Sequence, residues 1–263
     1  MNLSLSGKRA MVCGSTSGIG KAAAVELALL GAEIVLVARN ESKLRLFAEE
    51  LKDLTGRKHK YLVADFNDPA GVKNTVDDFL ADEACQIEIL VNNTGGPAGG
   101  PIFEAATQEF ENAFSAHLIC NHLLVQALVP SMRSAGYGRV INIVSTSVKE
   151  PLPNLGVSNT IRAAVAGWAK TLSGELATDG ITVNNVLPGY TFTPRLQSLI
   201  KAKADKTGKS IEEVKTEMKG ETPANRFADP EEVAALVAFL ATPAAAYVNG
   251  TSIPVDGGRV KSF

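Results

Sequence analysis

Apolar runs and helical patterns alternate along most of this chain. Arg9–Cys13 is a short apolar run, followed by a glycine-rich turn and a helical stretch, Ile19–Leu30. Glu33–Val37 is β-branched and leads into a polar helical stretch, Glu41–Leu54. Tyr61–Ala64 reads as a strand, and Gly71–Ala81 as a helix opened by Asp68-Pro69, because proline suits a first helical turn. Ile87–Val91 is an apolar strand that ends in Asn92-Asn93-Thr94-Gly95-Gly96. The pattern then predicts a long helix from about Thr107 to Met132 and a strand over Arg139–Val144. After a proline-bearing loop it predicts a helix from about Asn159 to Leu176 and a strand over Ile181–Val186, stopped by Pro188-Gly189.

Strands that are apolar throughout, rather than alternating, are buried on both faces. With helices between them they form a parallel sheet covered on each side. Right-handed crossovers then give an α/β, doubly wound Rossmann fold in three layers, α/β/α, with residues 1–263 as a single dinucleotide-binding domain. One segment departs from the rhythm. Arg195 to Gly220 is polar, lysine-rich and helical in pattern, and it follows the sixth strand on the side where strand C-termini open. It reads either as a lid over a substrate or as a solvated helical pair without a role.

The bulk numbers narrow the function classes. The 263 residues are 45% hydrophobic and 21% charged, the balance of a globular protein, and the net charge of −2 is spread along the chain. No basic tract argues for nucleic acid. The apolar stretch Ala22–Leu30 carries Glu26 and is too short to span a bilayer, so no membrane partner is expected. Cys13, Cys85 and Cys120 lack CxxC spacing and read as reduced thiols, which, with no apolar core near Met1, points to the cytoplasm. His117 and His122 are five apart and do not share a helix face as a zinc pair would, so no metal is expected.

The chemistry begins at Gly14-Ser15-Thr16-Ser17-Gly18-Ile19-Gly20, between the first strand and the first helix. Glycines let the backbone turn sharply and approach a pyrophosphate. The helix N-terminus supplies N–H groups and the positive end of its dipole. The end of the second strand selects the dinucleotide. An NAD site places an acid there for the ribose 2′-hydroxyl, whereas this chain has Val37-Ala38-Arg39-Asn40. Arg39 can pair with a 2′-phosphate, which favours NADP(H) over NAD(H), unless it is only a surface cation at a helix start. The loop Asn93–Pro101 holds four glycines and two prolines at a strand C-terminus, and serves either a close backbone approach to a ligand or a plain turn.

These motifs, with Asp65, Ser145, Pro188-Gly189, Asp229-Pro230-Glu231-Glu232, Asn249-Gly250 and Asp256-Gly257-Gly258, resemble the short-chain dehydrogenase/reductase family in its 3-oxoacyl-acyl-carrier-protein reductase-like branch. They occur in family order over essentially the whole chain. The resemblance implies that Asp65 holds the adenine amino group, that Asn92 packs beside the adenosine and Gly95 lets the chain pass close to it, that Pro188, Gly189, Thr191 and Thr193 border the nicotinamide, and that Phe66 and Thr94 also bind the cofactor. It also implies a homotetramer.

The family's catalytic set is Ser, Tyr-x-x-x-Lys and an Asn from an earlier helix. Here Ser145 matches the Ser, Ser158 stands at the Tyr position, Arg162 at the Lys position and His117 at the Asn position. Ser158 and Arg162 are four apart and share a helix face. Arg162 can bond ribose hydroxyls and act on a developing alkoxide, but it does not release a proton at working pH. A serine hydroxyl is a poor acid. Tyr190, His117 and Lys149 are the candidate substitutes as proton donor, each more readily read as a packing or surface residue. The expected function is NADP(H)-dependent reduction of a small-molecule carbonyl or oxidation of a secondary alcohol. The alternatives are a catalytically silent NADP(H)-binding sensor or partner protein, and a non-redox dehydratase or isomerase in the same pocket.

Overall fold

The computed structural model describes residues 1–83 and 86–262, so Cys85 lies outside the described residues. Seven strands form one sheet: β1 (Arg9–Cys13), β2 (Glu33–Ala38), β3 (Lys60–Val63), β4 (Ile89–Asn92), β5 (Gly138–Ile143), β6 (Ile181–Pro188) and β7 (Ser252–Val255). Their order is β3-β2-β1-β4-β5-β6-β7 and every pairing is parallel. The chain reverses direction across the sheet between β1 and β4, and that switch point opens a crevice at the strand C-termini.

Side-chain alternation builds a core on each face. Ala10, Val12, Ile34 and Leu36 point into one apolar cluster, together with residues of α1 (Gly18–Leu29), α2 (Glu41–Thr55) and α9 (Pro230–Ala241). Met11, Cys13, Val35 and Val37 point into the other, against α3 (Pro69–Glu83), α5 (Cys120–Ala135) and α6 (Gly156–Glu175). Each central strand thus buries both faces, which is why its sequence shows no polar alternation.

α5 continues α4 (Thr107–Phe114) through one π-helical turn, Ser115–Ile119, so the predicted long helix runs unbroken to Ala135. Among the described residues it is the one helix long and apolar enough to cross a membrane, and Leu124, Val125, Leu128 and Met132 spend that apolarity on the sheet. α6 begins three residues earlier than the pattern suggests. Asn159 sits in its first turn rather than before it, where its side chain exchanges hydrogen bonds with both backbone groups of Leu152 (2.8 and 3.3 Å).

The polar segment after β6 forms α7 (Pro194–Thr207), capped by Thr193, and α8 (Ile211–Gly220), capped by Ser210. They bury Leu196, Ile200, Ala204, Val214 and Met218 in a cluster of their own, beside Tyr190 and Phe227. The pattern assigned no element to the chain beyond Gly220, yet α9 and β7 lie there. β7 contains Pro254, which signals against a strand. As the sheet edge it pairs with β6 alone, and an edge strand tolerates proline.

Candidate active site

The turn after β1 is shaped by contacts that exclude side chains. A Cβ on Gly20 would lie 2.3 Å from the Gly14 carbonyl oxygen, and one on Gly14 would lie 2.6 Å from the Asn93 carbonyl oxygen. Gly14 also has φ +58°, in the left-handed region. Asn93 stitches this turn to the end of β4, donating from Nδ2 to the carbonyls of Cys13 (3.2 Å) and Gly14 (3.3 Å). Ser17, the N-cap of α1, caps no backbone N–H with its side chain, and the first turn holds no acid. The helix end therefore faces the crevice with N–H donors and a positive dipole end, the arrangement that suits a phosphate.

A cleft of about 800 Å³ runs from this turn along the strand C-termini. Gly14, Thr16, Ser17, Gly18 and Ile19 line it, but Ser15 does not. Ser15 is fully buried, with its Oγ donating to Val37 O at 3.4 Å, and Gly20 lies beneath the turn. At one end stand exposed Arg39, Asn40 and Lys43, and no acid follows β2 before Glu41. Asp65, Phe66 and Asn67 line the same end. The Asp65 carboxylate is oriented by the backbone N–H of Asn67 (3.0 Å) and its side-chain amide (2.9 Å). Thr94 and Gly95 form the floor at the switch point.

Asn92 lies below that floor, 2% exposed. Its Nδ2 donates to Asn142 Oδ1 (2.8 Å), Asn142 donates to Asn185 Oδ1 (2.9 Å), and Asn185 donates to Ser252 Oγ (3.1 Å). These four residues are in register on β4, β5, β6 and β7. The amides form a polar rung across the sheet, so Asn92 supports the crevice from beneath and does not line it.

At the other end, Ser145 follows β5 and its Oγ accepts from the Ser147 N–H (3.1 Å). That leaves the hydroxyl proton of Ser145 for another acceptor. Ser158 and Arg162, one turn apart on α6, line the cleft with it. Arg162 donates from Nη1 to Ile143 O (2.8 Å). Burial, then the nearby Arg195 charge, pull its pKa down to about 10, so it stays cationic at neutral pH. Pro188, Gly189, Tyr190, Thr191 and Thr193 complete this end.

Two candidate proton donors are engaged elsewhere. His117 sits in the π-helical turn, 3% exposed and behind the cleft wall. Its Nδ1 is hydrogen-bonded to Thr94 Oγ1. Burial, reinforced by Arg162, depresses its pKa to about 3, so the ring is neutral. Tyr190 reaches the cleft, but its hydroxyl donates to Glu221 Oε2 (2.7 Å) and accepts from Arg259 Nη2 (2.9 Å). Burial and that carboxylate raise its pKa above the ordinary tyrosine range. Lys149 is not among the lining residues.

Sequence reasoning missed Asn40, Lys43, Asn67, Arg195 and Arg259. A signal existed for Arg195. It falls in Thr193-Pro194-Arg195, in the first turn of a helix, where a cation opposes the dipole. It also missed the apolar side formed by Leu152, Leu155, Leu196 and Leu199.

Comparison with known proteins agrees with this geometry. The family model described as enoyl-(acyl carrier protein) reductase matches residues 14–259. The chain is similar to the 3-oxoacyl-acyl-carrier-protein reductase FabG of Vibrio cholerae, 33% identical over 97% of this chain and 98% of that protein. It is also similar to D-beta-hydroxybutyrate dehydrogenase of Rhizobium meliloti, at 32% identity over 95% and 98% of the two chains. L-sorbose reductase of Gluconobacter frateurii, solved with NADPH and L-sorbose, superposes with a TM-score of 0.93 at 34% identity, with both chains fully covered. A seven-stranded parallel sheet with its crevice at the β1/β4 switch point, matched end to end by such relatives, means that the chain belongs to the short-chain dehydrogenase/reductase family, in the branch similar to 3-oxoacyl-acyl-carrier-protein reductases.

Proposed function

We propose that this protein is an NADP(H)-dependent oxidoreductase that interconverts a carbonyl and a secondary alcohol, with Ser145 and Arg162 acting on the substrate oxygen. The observation that carries this reading is one continuous cleft. It joins the uncapped start of α1, the cations after β2, and the Ser145–Ser158–Arg162 group. The residues present fit the cofactor. Gly14, Gly18 and Gly20 keep side chains off the turn where a diphosphate would pass, and Arg39 and Lys43 suit a 2′-phosphate. Asp65, Phe66, Thr94 and Gly95 would hold the adenosine half. Pro188, Gly189, Thr191 and Thr193 would border the nicotinamide.

When bound, NADPH supplies the hydride. The chain's own part is to hold the carbonyl and to stabilise the charge that grows on its oxygen. Ser145 Oγ, already an acceptor for the Ser147 N–H, donates a hydrogen bond to that oxygen and keeps its proton. Arg162, charged and partly desolvated, stabilises the alkoxide electrostatically. The proton that completes the alcohol comes from water along the Ser158 hydroxyl, because His117 and Tyr190 do not titrate near neutrality. α7 and α8 act as the substrate cover, with Leu196 and Leu199 of α7 facing the cleft.

Fluorescence titration with NADPH and NADH, followed by absorbance assays on ketones and secondary alcohols, tests the reading. NADPH should bind more tightly than NADH and be consumed in the presence of a ketone. Tight NADPH binding without turnover of any ketone or alcohol would refute it.

A further inference from the structure

Two guanidinium groups converge on one point of the cleft wall. A Cβ placed on Gly96 would lie 3.6 Å from Arg195 Nη2 and 3.8 Å from Arg162 Nη2. They arrive from different elements, Arg162 from α6 and Arg195 from the start of α7. Each is tethered through one nitrogen to one carbonyl. Arg162 donates to Ile143 O at 2.8 Å, and Arg195 donates from Nη2 to Pro97 O at 2.5 Å. A guanidinium has five N–H donors, so most of this set is left for the cleft that both side chains line.

Charge makes the arrangement unusual. Among the described residues no carboxylate perturbs either group. Arg162 feels burial and Arg195, and Arg195 feels burial alone. Glu221, just after α8, is taken up by Tyr190, Arg259 and Lys203. Arg195 also stands in the first turn of α7, with no acid beside it, where the helix dipole adds to its positive charge. Two like charges directed at one place disfavour the empty site and favour an anion in it.

We infer that the substrate carries a carboxylate, held between Arg162 and Arg195 under Gly96. Planar guanidinium forks match a carboxylate bidentately. The loop Gly96–Pro101 gains a role here, since its Pro97 carbonyl positions Arg195 and Gly96 lies where the two forks meet. The loop is itself fixed to the start of α6, with the Gly100 N–H bonded to Asn154 O (2.8 Å) and the Gly156 N–H to Gly100 O (3.3 Å). Ser158 is one turn from Arg162, so the carboxylate sits close to the reacting carbonyl. That describes a short oxo acid and its hydroxy acid, with the leucine side of the cleft taking the carbon chain. This rests on the oxidoreductase reading for the carbonyl, while the clip stands on the chain's own cations.

Calorimetric titration of the dinucleotide-free protein and of its NADP⁺ complex, with three- to six-carbon oxo acids, their methyl esters and inorganic phosphate, tests it. At least one acid should bind ten-fold or more tightly than its ester. Arg195→Gln should reduce that preference to about three-fold or less, and Arg195→Lys, which keeps the charge but not the fork, should fall between the two. The NADPH dissociation constant of Arg195→Gln should stay within about two-fold of the parent. Equal binding of every acid and ester, a preference that survives Arg195→Gln, tighter binding of phosphate than of any acid, or loss of NADPH binding in Arg195→Gln would each overturn the inference. Failure of the parent protein to bind NADPH or turn over either class would instead refute the oxidoreductase reading, and the acid–ester comparison would still decide the clip.

Discussion

Replacing His117 by Asn should flatten the acid side of the protein's stability curve. The imidazole is 3% exposed in the π-helical turn, bonded to Thr94, and its pKa is depressed from 6.5 to about 3, chiefly by burial. In the unfolded chain the ring takes a proton below about pH 6.5. In the folded protein it does so only near pH 3. Between these values unfolding takes up a proton, so stability falls as the pH falls. At about 1.4 kcal/mol per unit, moving from pH 7.5 to 5 costs the folded state roughly 2 kcal/mol through this one residue, and any folded pKa below about 4 gives the same loss. Urea unfolding at the two pH values, at fixed protein concentration, measures it. His117→Asn loses the bond to Thr94 at both values, so only the difference between them reports the titration. Half-buried His59, whose pKa burial also lowers, is common to both proteins and cancels. The parent should lose about 2 kcal/mol more than the variant. Equal losses would show that the ring is already charged at pH 5, or is not desolvated, and would refute the reasoning.

Arg39→Ala should weaken NADPH roughly ten-fold, as expected for an exposed charge-assisted contact, and leave NADH nearly unchanged; equal weakening in a fluorescence titration would remove Arg39 from the 2′-phosphate site. Ser145→Ala should lower kcat by about ten-fold or more with little change in the NADPH dissociation constant, and an unchanged steady-state rate would exclude Ser145 from the chemistry. The pH profile of kcat/KM for reduction should be flat between about pH 5 and 9, because His117 is neutral throughout and Tyr190 does not ionise there, and should fall as Arg162 loses its charge near pH 10. An inflection near pH 6.5 would place a titrating imidazole in the reaction.

The apolar runs and the Gly14–Gly20 turn were enough to predict the parallel sheet and the dinucleotide end. Burial on both faces of a strand writes itself into consecutive β-branched residues, and the turn's glycines answer a local backbone demand. β7 and α9 were not legible in the same way. β7 carries a proline that only an edge position tolerates, and α9 is apolar nearly all round, with no one face to mark its period. At the reacting end, Ser145, Ser158, Arg162, His117 and Tyr190 could be named from their positions along the chain. Which of them meet was settled by how the helices pack on the sheet. That packing turned His117 behind the wall, tied Tyr190 to Glu221 and Arg259, sank Asn92 into the amide rung, and brought Arg195 across to Arg162. The reason is that spacing along one helix fixes a shared face, as for Ser158 and Arg162. The meeting of side chains from β4, α6 and α7 depends on how separate elements pack, and no local pattern encodes that.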